Sequence, residues 1–118
     1  MNDALVLVLS NDPMIAGLLG ALLEVHGFRP CFPDADEHPR DALRRCRAAT
    51  LLVDCDFELA CSDAVLGPAR MTGARLILFS HTCTANDVRD MIDRYDADFF
   101  QLPIQLPDFD RLLRGAEA

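Results

Sequence analysis

The sequence predicts an α/β fold: a five-stranded parallel sheet in the order 2-1-3-4-5, with helices on both faces. Three observations lead there. The runs Leu5–Leu9, Thr50–Asp54 and Leu76 to Phe79 are unbroken apolar segments, the pattern of strands buried on both faces, as in a parallel sheet covered by helices. Segments with helical spacing separate them, and strand–helix alternation over the whole chain implies right-handed βαβ units. Each buried run ends in a polar residue: Ser10-Asn11-Asp12, Asp54, and Ser80-His81. In doubly wound sheets, ligands gather beyond the carboxyl ends of the strands, at the switch point between the first and third strands. That is the flavodoxin-like, three-layer arrangement.

Taken in order, residues 4–9 form the first strand. Asp12-Pro13 opens a helix, with Asp12 as the cap and Pro13 at the first helical position. Its apolar stripe is Ile15, Leu18, Leu19, Leu22 and Leu23, and Gly27 closes it. Residues 28–32 are a short second strand. An acidic loop, 34–37, leads to a helix over 39–47 with Ala42, Leu43 and Cys46 inward. Strand three ends at Asp54. Residues 62–71 have helical character, with Gly67-Pro68 expected to break or kink it. After strand four, Thr84-Ala85-Asn86-Asp87 resembles a capping box with Asp for Glu. The helix that follows carries Val88, Met91, Ile92 and Tyr95 on one side. Residues 98–101 are a fifth strand, ended by Pro103, and Pro107-Asp108 starts a last helix with Phe109, Leu112 and Leu113 inward.

Composition sets the limits. With 118 residues, 51% hydrophobic and 25% charged, the chain fits one globular domain over 1–118. A net charge of −8 argues against a nucleic-acid surface, which needs a basic patch. No apolar run reaches the ~18 residues of a membrane span, and Met1-Asn2-Asp3 lacks the basic start of a signal peptide; the expected location is the cytoplasm. Five cysteines without a C-x-x-C pair read as small hydrophobes, with neither metal ligation nor a disulfide framework expected. All eleven basic residues are Arg; there is no Lys.

The chain resembles the receiver domain of bacterial response regulators along nearly its whole length. Val8-Leu9-Ser10-Asn11-Asp12-Pro13, Leu22-Leu23-Glu24-Val25-His26-Gly27-Phe28, Leu52-Val53-Asp54, Leu76-Ile77-Leu78-Phe79-Ser80, and Asp96-Ala97-Asp98-Phe99-Phe100 with Leu102-Pro103 stand in the family's order. The resemblance implies a two-component signalling module, with Asp54 as the phosphoacceptor, Ser80 contacting the phosphoryl group and Phe99 at the aromatic switch position. It also implies a protein partner, a histidine kinase or an output protein, and a contact or homodimer face over 86–95, 99–101 and 108–114. Val88, Met91, Tyr95 and Phe99 are expected to be exposed there.

The resemblance fails at the chemistry. The acidic pair that helps hold Mg²⁺ falls on Ser10 and Asn11, and the Lys that pairs with the phosphoryl oxygens falls on Leu102. Asp12 could compensate if the strand ran one residue longer; its place before Pro13 suits a helix cap better. Asp12, Asp54 and Asp56 are the weak metal candidates, and Mg²⁺ binding is expected to be weak or absent. His81 would crowd the pocket mouth and bond to neighbouring carboxylates. Asp54 has a plain reading too, accepting backbone N–H groups from the next loop, and Asp56 is expected to be solvated.

The expectation is a stand-alone, degenerate (pseudo-)receiver, not an enzyme, acting through protein–protein contact without an attached output domain. One alternative is a working receiver phosphorylated on Asp54 by a histidine kinase. Another is a flavodoxin-like small-molecule binder, against which the first loop has no phosphate-cradling glycine.

Overall fold

In a computed structural model that describes residues 4–115, the sheet has five parallel strands in the order β2-β1-β3-β4-β5. These are β1 (Leu5–Leu9), β2 (Arg29–Cys31), β3 (Thr50–Asp54), β4 (Arg75–Ser80) and β5 (Asp98–Gln101), alternating with α1 (Pro13–Val25), α2 (Pro39–Cys46), α3 (Asp63–Met71), α4 (Arg89–Tyr95) and α5 (Leu106–Leu113). The alternating faces of the buried strands form two cores. Leu7, Leu9, Leu51, Val53, Leu76 and Leu78 pack against α2 and α3. Val6, Val8, Leu52, Ile77 and Phe79 pack against α1 and α5. On the second face Phe79 stacks on Phe100 at 5.4 Å between ring centroids, and Phe109 of α5 meets Phe100 edge-on at 5.7 Å, an arrangement aromatic rings favour.

Several expectations meet the three-dimensional packing differently. In α1, Leu19 and Leu23 are fully buried while Leu18 is 52% exposed. Each residue turns the helix about 100°, so a stripe centred on 19 and 23 leaves 18 on the outer edge. Gly67-Pro68 does not break α3: the helix runs through from Asp63 to Met71. Val65, Leu66 and Ala69 are all fully buried, so apolar contacts clamp the chain on both sides of the proline. The carbonyl deprived of a donor belongs to exposed Ala64, where water can supply the bond. The capping box does form, Thr84 N–H donating to Asp87 Oδ2 at 2.7 Å. It opens a 3₁₀ turn over Ala85–Val88 before α4 begins.

Two corrections concern surfaces and sulfur. Met91, Tyr95 and Phe99, expected outside, are half-buried against the α2/α3-side core, and Val88 is half-buried. Met91, Ile92 and Tyr95 of α4 all pack on this one cluster, so the apolar side of the helix is turned inward. The exposed large apolar side chains lie elsewhere, among them Met71 of α3 and Met14, Val25 and Leu18 of α1. Cys31 and Cys46 form a disulfide with a Cα separation of 6.6 Å, where five reduced thiols were expected. Packing α2 beside β1 and β2 brings together two cysteines fifteen positions apart, a proximity that no local spacing encodes. Among the described residues, no helix is long and apolar enough to cross a membrane.

Candidate functional site

Parallel register aligns the ends of three strands. Leu9 pairs with Val53 and Asp54 with Phe79, which brings Ser10, Asp54 and Ser80 together at the carboxyl edge. Asp54 and Ser80 are the two buried polar residues there, 1% and 0% exposed. A carboxylate and a hydroxyl so deeply placed need hydrogen-bond partners, and each has them.

Asp54 is held from two sides. The Ser10 hydroxyl donates to its Oδ2 at 2.7 Å, and the Asp56 N–H donates to its Oδ1 at 2.9 Å. Ser10 Oγ also accepts the Asp12 N–H at 3.2 Å. Asp12 is a helix cap: its Oδ1 accepts from the N–H groups of Met14 at 3.0 Å and Ile15 at 3.4 Å, satisfying free donors at the first turn of α1. Its carboxylate is therefore committed to the helix end. Asn11 is exposed.

Ser80 and Asp56 form a second network. Ser80 Oγ accepts from the N–H groups of Thr82 (3.0 Å) and Cys83 (2.8 Å) and donates to Asp56 Oδ2 at 3.2 Å. Thr82 Oγ1 donates to Asp56 Oδ1 at 2.8 Å. Asp56, expected in solvent, is thus a bridge between the loops after β3 and β4. Thr82 was missed. The spacing Ser80-x-Thr82 at a strand end, which lets two hydroxyls face one acceptor, is the signal that could have found it. His81 lies at the mouth with Nδ1 3.5 Å from Asp56 Oδ2, beside the carboxylate expected to attract it.

Leu102 N–H donates to the Ser80 carbonyl at 2.9 Å, and its side chain packs against the α1/α5-side core. Phe99 is half-buried in the opposite core. Among the described residues no arginine pairs with Asp54 or Asp56, and His81 is the one basic group in ion-pair range of either. A divalent hard cation needs about six oxygen ligands, several of them anionic. Here every oxygen of Asp54 and Asp56 already accepts a hydrogen bond, Asp12 is spent on α1, and Ser10 and Asn11 are neutral. Among the described residues, no group of three or more His, Cys, Asp or Glu side chains has metal-holding geometry. The donor set does not fit Mg²⁺.

Beside this edge stand two free thiols, Cys55 and Cys61. Interaction with the Cys61 thiol, and then burial, pushes the Cys55 thiol well above its ordinary range, while Cys55 lowers that of Cys61.

This geometry is the receiver-domain fold of two-component signalling proteins. A response regulator from Thermotoga maritima superposes with a TM-score of 0.76 at 16% identity, covering 95% of both chains. Chemotaxis protein CheY4 of Vibrio cholerae gives 0.74 at 14% identity, over 95% of this chain and 97% of that one. The receiver domain of the Pseudomonas aeruginosa sensor histidine kinase PA1611, described with magnesium in its active-site cleft, gives 0.74 at 17% identity over 95% of both chains. Identities this low carry the fold alone. No protein-family model and no curated protein sequence matches the chain.

Proposed function

We propose that this domain is an atypical receiver: a cytoplasmic signalling module, not an enzyme, that works by binding another protein and not by Mg²⁺-dependent phosphorylation of Asp54. The observation that carries this reading is the 2.7 Å bond from Ser10 Oγ to Asp54 Oδ2. A carboxylate at position 10 would repel Asp54 unless a cation lay between them; a hydroxyl donates to it and removes the need for one. Leu102 supports the same reading, because an apolar side chain cannot disperse the charge of an acyl phosphate.

The partner called for is a histidine kinase or an output protein. A groove of about 440 Å³ between β5 and α5, lined by Phe99, Phe100, Ile104, Leu112, Asp108 and Arg111, supports contact on the α4–β5–α5 face, by a partner or by a second copy. The test is incubation with acetyl phosphate and Mg²⁺, read by phosphate-affinity electrophoresis and intact mass. The expected result is no stoichiometric adduct on the native chain or on Asp54→Asn. Mg²⁺-dependent labelling lost in Asp54→Asn would overturn the proposal in favour of a working receiver.

A further inference from the structure

A groove of about 850 Å³ opens between α2 and α3, lined on the α2 side by Arg40, Leu43, Arg44 and Arg47 and on the α3 side by Pro68 and Thr72. Residues just before β3 and β4 complete the lining. The groove therefore lies at the amino edge of the sheet, away from Asp54. Its four α2 residues are spaced i, i+3, i+4 and i+7, one stripe of a helix, and the row from Arg40 to Arg47 spans roughly 10 Å.

Like charges at this spacing repel, and the chain does little to neutralise them. None of the ten lining residues is acidic, in a chain with 19 acidic residues. Six other arginines have ion pairs. Among the described residues, Arg44 has one long pair, 3.5 Å to Asp41, and the Arg40 and Arg47 side chains have none. The plain alternative is that these arginines answer the partial negative charge where α2 and α3 end. Each helix end carries about half an elementary charge, and Asp41 adds one more. Three guanidiniums exceed that sum by about one unit, held at a concave surface.

We propose that this groove binds a nucleotide, with its phosphates on the arginine row and its base against the uncharged side. A guanidinium matches phosphate oxygens with two parallel N–H bonds. Pro68, Ala48 and Ala74 offer a base plane an apolar surface, and a guanidinium stacks on aromatic rings as well. The volume falls within the range of about 300–1,000 Å³ typical of small-molecule sites, most of which a single inorganic phosphate would leave empty. An acidic peptide fits less well. β3 and β4 are interior strands, so no free sheet edge stands here for a peptide main chain to pair with. The site is independent of whether Asp54 ever accepts a phosphoryl group.

The experiment titrates ATP and GTP, without divalent cation, into the full 118-residue chain, followed by calorimetry and amide NMR. The expected result is one site per chain, with the Leu43, Arg47, Thr72 and Gly73 amides shifting and those of Asp54 and Ser80 unmoved. Arg40→Gln and Arg47→Gln should each weaken binding about tenfold, through loss of a charged hydrogen bond. Arg89→Gln, on α4 outside the groove, should leave binding unchanged. All three positions are exposed, and circular dichroism checks that each variant keeps the fold. Added salt should weaken binding by screening the exposed charges. No saturable binding at millimolar nucleotide, shifts centred on Asp54, or indifference to both groove variants would overturn the proposal. So would pyrophosphate or a short polyglutamate peptide binding as tightly as the nucleotides, because the base would then contribute nothing.

Discussion

Replacing Ser10 by alanine tests how Asp54 is held. The mutation deletes one hydroxyl that donates to Asp54 Oδ2 at 2.7 Å and accepts the Asp12 N–H at 3.2 Å. The first bond dominates because its acceptor is a carboxylate, and bonds to charged groups contribute about 1.5–3 kcal/mol against roughly 1 for neutral ones. Asp54 is 1% exposed, so the orphaned oxygen cannot recover a full water shell. Ser10 itself is half-buried, and a water entering from its side offsets part of the loss. The expected cost is about 2 kcal/mol, or roughly 8 °C in Tm for a domain of this size. Ser10→Thr, which keeps the hydroxyl, should lose much less. Urea unfolding followed by circular dichroism measures both. A Ser10→Ala change within about 0.5 kcal/mol of the native chain, the range of an uninvolved surface site, would refute the claim that Ser10 secures Asp54.

Leu18→Ala should cost far less than Leu19→Ala, which empties a fully buried site and should lose about 2–5 kcal/mol; equal losses in denaturant would contradict the α1 orientation. Gly17→Ala should stabilise by about 0.5–1 kcal/mol, because a Cβ at Gly17 meets nothing within 4 Å and alanine costs less backbone entropy in a helix; a lowered Tm would show that this face is occupied. The Tyr95 hydroxyl, and then Arg94, hold exposed Asp63 below the ordinary carboxylate range. Its contribution is therefore present above that range and lost as pH falls through the lowered folded value. Tyr95→Phe should move the Asp63 titration, followed by NMR, upward toward the ordinary range; an unmoved titration would rule out the bond.

The fold was legible in the sequence because buried parallel strands are continuous apolar runs and their termini are punctuated by capping and turn residues. Leu5–Leu9, Thr50–Asp54 and the Asp12-Pro13 helix start need no long-range information. The same holds for Ser10, Asp54 and Ser80, since a polar residue ending a buried strand must stand at the sheet edge. What only the tertiary structure decided were matters of rotation and proximity. Which of Leu18 and Leu19 faces the sheet depends on how α1 lies across it, and whether Pro68 breaks α3 depends on the buried neighbours that clamp it. The seating of Met91 and Tyr95 depends on which side of α4 packs on the cluster, and that of Phe99 on which face of β5 it takes. Asp56 became a bridge, and Cys31 met Cys46, because the packed sheet brings together segments well separated along the chain. Such contacts carry no local periodicity, so hydrophobic pattern and spacing could name the strand ends but not the side chains that reach across to them.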